Sequence, residues 1–313
     1  MLETVNIISA IAPIFTIIIF GYFLRKIGKV PKEFWSNSDF LIYWVFIPSL
    51  FFTKISQVDL TSYTIFNFSI ILCLIFAFTL LYSLFSLKSF NLSGSSKLPT
   101  IHGCCRVNTV IALAISSSLY GPKGLEIAII GTAILVPLIN ILMPIFLIFV
   151  IKDGKIDIIS RIKKDIIANP MILSISLGFI FNYYDIKNVL IVHSALSTLS
   201  NAALPIMLLS LGANLKIKEM RGQISPIVIS SVGKLILTPV VAIILCFFAI
   251  LPTDLTQITV ICGSVPTGVV VYTLVKKENG DVKLASAIVT AQILLSFITM
   301  PIFIILSEML LSV

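Results

Sequence analysis

The sequence predicts an all-α polytopic membrane protein whose ten transmembrane helices form two inverted five-helix repeats. Three observations predict it. Hydrophobic residues make up 58% of the 313 residues and charged residues only 12%, with a mean hydropathy of +1.10, far outside the range of soluble domains. The chain also matches itself at a shift of 157 residues: Pro13 falls on Pro170, Gly21 on Gly178, Pro48 on Pro205, and Met143-Pro144-Ile145-Phe146 on Met300-Pro301-Ile302-Phe303. A single gapless register that aligns these landmarks indicates an internal duplication. Third, the basic residues partition between alternate loops, as membrane topology requires.

Crossing a bilayer takes roughly 20 apolar residues. Runs of that kind lie near 5–24, 36–53, 63–87, 103–120 and 125–151, and again near 166–183, 189–213, 224–250, 257–275 and 283–310. The expected units are therefore a first five-helix repeat over 1–151, a cytoplasmic loop over 152–165 and a second, inverted repeat over 166–313. The first run opens Met1-Leu2-Glu3-Thr4 with no basic stretch before it, so it is expected to be a retained helix and not a cleaved signal.

Orientation follows from counting. With the N-terminus outside, 17 basic residues fall in cytoplasmic loops, Arg25, Lys26 and Lys29 among them, against three outside, Lys54, Lys123 and Lys187. The positive-inside rule then places both termini outside a multi-pass protein of the cell membrane. The net charge of +8 is thereby assigned to topology, and nucleic acid is not expected as a partner. An odd number of spans per copy turns the second copy over. Inverted repeats of this kind recur in secondary transporters, with the substrate near the midplane.

Segments four and nine are not clean apolar runs. Segment four reads His102-Gly103-Cys104-Cys105-Arg106-Val107-Asn108-Thr109-Val110, and segment nine reads Cys262-Gly263-Ser264-Val265-Pro266-Thr267-Gly268-Val269. The 157-residue register lays Thr109 on Pro266. A proline removes a helix donor and blocks the carbonyl one turn back, while glycine unwinds at little steric cost. Paired breaks at matching positions point to a binding site, where half-helix ends would offer N–H groups to an anion.

Candidate site residues are polar and close to those breaks. Asn108 and Thr109 can hydrogen-bond a carboxylate without burying a charge, and Ser264, Thr267 and the backbone around Pro266 offer donors across the second break. For both hydroxyls, a bond to their own preceding turn is the alternative. Arg106 either meets the substrate or snorkels to the interface. Lys234, in Val232-Gly233-Lys234-Leu235-Ile236, either counters an anion, holds a carboxylate such as Asp39, or reaches an interface. Asp39 and Gln292 are candidates for a coupling ion, although interhelical bonding is the default for Gln292 and for Asn140. His102 is expected to be a solvated interfacial histidine. The five cysteines show no metal or CxxC spacing, so no metal, cofactor or disulfide framework is expected. No phosphate-binding motif or soluble domain is present to use ATP.

Arg106-Val107-Asn108-Thr109 with Ser118-Leu119-Tyr120-Gly121 resembles the fourth-helix signature of the auxin efflux carrier family, which includes plant PIN carriers and bacterial organic-acid permeases. Asn169-Pro170 with Leu177-Gly178, Ala203-Leu204-Pro205 with Leu209-Ser210-Leu211-Gly212-Ala213, Val265-Pro266-Thr267 with Gly280-Asp281, and Ala285-Ser286-Ala287-Ile288-Val289 are similar to later pieces in the same order. The resemblance implies a bile acid symporter-like fold in which helices four and nine are broken and cross, with a small organic anion such as auxin, malate or malonate bound beside them. Val110 stands where the family carries glycine, and Ile115 near its proline, so the break in segment four is expected to be the milder one.

The expectation is a secondary active carrier of small carboxylates working by alternating access, not an enzyme. Its expected partners are the anion, the lipid bilayer, a coupling proton or sodium ion, and a second copy of the chain as a homodimer. A sodium-coupled, bile acid symporter-like carrier is the alternative, followed by a channel or an intramembrane enzyme. The polar residues are too few for a continuous pore lining, and no nucleophile stands beside a base.

Overall fold

A computed structural model describes residues 4–58, 63–90, 92, 94–150, 169–186, 190–221, 224–249 and 251–311. Among them the regular structure is entirely helical. The loop expected over 152–165 lies outside the described residues.

The chain runs through α1 (Thr4–Ile27), α2 (Lys32–Leu41), a π turn (Ile42–Phe46) and α3 (Ile47–Ile55), then α4 (Tyr63–Ser89), α5 (Lys97–Cys105) and α6 (Thr109–Val150). After the undescribed stretch come α7 (Pro170–Tyr183), α8 (Leu190–Ala213), α9 (Ile224–Val232), a second π turn (Gly233–Leu237), α10 (Thr238–Ala249), α11 (Thr253–Ser264), α12 (Val270–Lys277) and α13 (Val282–Leu311). Seven helical stretches among the described residues are long and apolar enough to cross a membrane, and α7 is a shorter apolar helix. One of the seven, Gly94–Leu147, is 54 residues long. It is not one rod, because the helix stops at 106–108 and α6 turns at Gly121, whose φ of 60° and ψ of −151° are non-helical. Glycine carries no Cβ penalty at such a φ.

Both π turns have the same local cause. Each ends two residues before a proline, Pro48 in one case and Pro239 in the other. A proline ring clashes with the carbonyl four residues back, here Trp44 and Leu235, and a wider turn moves that carbonyl aside. The second π turn is locked further: Thr238 Oγ1 donates to the Gly233 carbonyl at 2.7 Å, and Tyr82 donates its hydroxyl to the Ile229 carbonyl at 2.9 Å. A Cβ on Gly233 would lie 2.1 Å from the Tyr82 ring, so glycine is required for that contact.

α1, α3, α7 and α8 pack on one another as one group. The α1 and α8 backbones touch through glycine: a Cβ on Gly21 would sit 2.1 Å from the Leu209 carbonyl oxygen, and one on Gly212 only 1.8 Å from that of Ile18. Asn182 of α7 donates to the Ile55 and Val58 carbonyls at 3.0 and 2.7 Å. Asp39 accepts from the Ser210 hydroxyl and from Asn214 Nδ2, while Arg25 donates to the Ala213 carbonyl at 2.8 Å, so α1, α2 and α8 share one polar knot. The remaining helices pack around the interrupted pairs α5/α6 and α11/α12. Outward faces stay apolar, with Phe20, Phe23, Phe66, Phe85, Phe247 and Phe248 exposed, as suits a lipid solvent in place of water.

Candidate functional site at two broken helices

The two interruptions meet. α5 is capped by Arg106, which has an extended backbone (φ −78°, ψ 150°), and α11 by Val265 in nearly the same conformation (φ −66°, ψ 147°). These residues are 159 apart, so the structural match between the breaks is two positions off the 157-residue register. Asn108, not Thr109, stands opposite the Pro266-Thr267 peptide. The first break covers 106–108 and the second 265–269, so the break without a proline is the shorter one.

Asn108 ends the first break. Its Oδ1 accepts the Ile111 N–H at 3.2 Å, an N-cap that starts α6. Its own N–H donates to the Pro266 carbonyl at 2.9 Å, and its Nδ2 approaches the Thr267 carbonyl at 3.5 Å. The carboxamide is therefore taken up by the crossing itself. Thr267 Oγ1 donates to the His102 carbonyl at 3.1 Å, and its N–H donates to Gln292 Oε1 at 2.9 Å. Gln292 Nε2 donates in turn to the Gly103 carbonyl at 3.0 Å. One fully buried side chain on α13 thus clasps both broken helices. Glycine also permits close approach on the other side: a Cβ on Gly268 would fall 3.0 Å from the Val107 carbonyl oxygen.

The remaining predicted residues take separate places. Ser264 donates to the Val260 carbonyl of its own helix at 2.7 Å, the packing alternative foreseen for it. Arg106 donates to Asn140 Oδ1 at 2.8 Å, which engages both residues across α6. Asp39 lies in the polar knot with α8, apart from the crossing. Thr109 and Val110, at the start of α6, are partly exposed, as is Val269 just before α12, while Val270 at its first turn is exposed.

His102 is the clearest correction. It is 1% exposed and its Nε2 lies 2.8 Å from Glu278 Oε2, itself 3% exposed, so it is a buried partner of a carboxylate and not a solvated interfacial residue. Glu278 follows the end of α12, and the pair ties α5 to the far half of the second broken helix. Sequence position gave no hint of Glu278, which follows two lysines in an apparently ordinary loop.

Lys234 is 1% exposed and sits in the second π turn. It lines a small cavity of about 10 Å³ together with Thr79 of α4, Cys105 and Val107 at the end of α5, and Cys262 and Gly263 in the last turn of α11. That volume is on the scale of one water. A larger cavity of about 660 Å³ lies elsewhere, among α3, α7 and α8, with Trp44, Phe52, Phe181 and His193 in its wall.

Apolar helices, with two interrupted ones pressed together at buried polar turns, define a membrane protein of the solute-carrier kind. The chain belongs to the membrane transport protein family, the group of auxin efflux carriers, whose model matches residues 6–304. It is also similar to an uncharacterized transporter of Methanothermobacter thermautotrophicus (strain Delta H), at 24% identity over 301 residues, covering 94% of this chain and 96% of that one.

Proposed function

We propose that the protein is a secondary active carrier of small carboxylates that works by alternating access, with ten spans arranged as two inverted repeats. The observation that carries the reading is the contact between the two breaks, in which Asn108 N–H donates to the Pro266 carbonyl at 2.9 Å. Irregular backbone at membrane depth is tolerated where protein or a watery cavity satisfies it, and here two such segments satisfy one another. The anion faces the partly exposed starts of α6 and α12, where Thr109, Val110 and Val269 present first-turn N–H groups and two positive helix ends. Asn108, Thr267, Pro266 and Gln292 hold that geometry, and Arg106 with Asn140 flanks it. The α1, α3, α7 and α8 group is the scaffold, and the crossing helices shift against it. Both termini lie outside the cell membrane.

Purified protein in liposomes tests this by counterflow of labelled malate, malonate and an indole monocarboxylate. Trans-stimulated exchange of at least one is the expected result. Conductance far above carrier turnover, or formation of a product, would overturn it.

A further inference from the structure

We propose that the Lys234 ammonium is a tethered cation that neutralises the C-terminal ends of α5 and α11, filling the place a free small cation would otherwise occupy. Four observations carry this. The first is burial without a partner: Lys234 is 1% exposed, and among the described residues its ammonium forms neither a hydrogen bond nor an ion pair. A buried charge of this kind is expensive in a membrane and normally marks a functional position.

The second is what surrounds it. Cys105 is the last residue of α5, and Cys262 and Gly263 belong to the last turn of α11. All three share the small cavity with Lys234. Each helix C-terminus carries about half a negative charge from carbonyls that lack intrahelical donors. Two such ends sum to about one negative charge, which a single ammonium balances. The deficit at α11 is also written in sequence: the donor that would serve the Cys262 carbonyl is position 266, and Pro266 has no N–H.

The third is that the placement is built. The π turn at Gly233–Leu237 is held by Thr238 and by the Tyr82 ring packed on Gly233, and π turns re-aim a side chain relative to a regular helix. The fourth is size. A cavity on the scale of one water leaves no room for a carboxylate, so Lys234 does not take the substrate's charge in this conformation. Half-helix C-termini are also the ends at which coupling cations are held in carriers built this way. The tethered ammonium makes such an ion unnecessary, and the crossing then presents only its positive, N-terminal side to an anion. That last consequence rests on the carrier reading; the placement of the charge does not.

The test uses unfolding midpoints of the purified protein without substrate, so it can fail while the carrier reading stands. Midpoints are measured in sodium, potassium and N-methylglucamine chloride at equal ionic strength, for wild type, Lys234→Met and Lys234→Ala, and again with added ethylammonium. Wild type is expected to show one midpoint in all three salts. Lys234→Met is expected to unfold several degrees lower, and Lys234→Ala to recover at least half its loss with ethylammonium or sodium. A methionine variant as stable as wild type overturns the proposal, since burial would then be only a cost. So does an alanine variant blind to small cations, or a wild type stabilised by sodium in particular. If neither variant folds, the wild-type salt series decides.

Discussion

Gln292→Leu should destabilise this protein more than any other single exchange of similar size on α13. Gln292 accepts from the Thr267 N–H at 2.9 Å and donates to the Gly103 carbonyl at 3.0 Å, and no part of it is exposed. Leucine preserves the bulk and removes both bonds, leaving a donor and an acceptor of two broken helices without partners. Each orphaned buried group costs about 1–3 kcal/mol, so the pair amounts to roughly 2–6 kcal/mol, a large share of a typical stability of about 5–15 kcal/mol. For a chain of this size that corresponds to a midpoint lower by about 3–9 °C. The assay can use the protein's own thiols, because Cys104, Cys105, Cys246 and Cys262 are buried and become reactive on unfolding. Ser296→Ala is the control: that hydroxyl is equally buried on the same helix but bonds only its own turn, at 2.7 Å to the Ile293 carbonyl. A Gln292→Leu midpoint within about 1 °C of the control, on the scale where about 1 kcal/mol moves a midpoint by roughly 1.5 °C, would refute the clasp.

Three further outcomes are expected. Gly212→Leu places carbon 1.8 Å from the Ile18 carbonyl oxygen and should force α1 from α8, lowering stability by about 1–3 kcal/mol or more; a wild-type melting curve would show that the two backbones do not touch. Ser264→Ala should leave transport and melting nearly unchanged, within about 0.5 kcal/mol, whereas Thr267→Val should cost about 1–2 kcal/mol and reduce exchange; paired measurements in detergent and in liposomes check both. Glu278→Ala removes the carboxylate beside buried His102 and should be worse, by about 1–3 kcal/mol, than Glu278→Ala combined with His102→Phe, so a double-mutant cycle with no coupling would deny the pair.

Much of the site was legible before the fold was known. Pro266 between Gly263 and Gly268 marks a break by local chemistry alone. Asn108 was legible as a polar group at the first break, although only the structure revealed it as the N-cap of α6. The family resemblance drew on both stretches and on further pieces such as Asn169-Pro170 and Ala203-Leu204-Pro205. The positions of Pro48 and Pro239 were legible too, although only the structure revealed the π turn that each one induces. Arg106 and Lys234 were visible as costly charges, but their surroundings were not, since Asn140 lies 34 residues from Arg106 and Thr79, Cys105 and Cys262 reach Lys234 from three other helices.

The sequence by itself determined the solvent and the places where helices stop, because hydropathy and backbone propensity are sums over neighbouring residues. The tertiary structure alone decided which stops face each other and what each buried polar group is bonded to. Gln292 meets Gly103 across 189 positions, His102 meets Glu278 across 176, and Thr267 meets His102 across 165. No local rule reaches that far. The two-residue difference between the repeat register and the actual match of the breaks is likewise visible only in the fold, where the Asn108 N–H of one half meets the Pro266 carbonyl of the other.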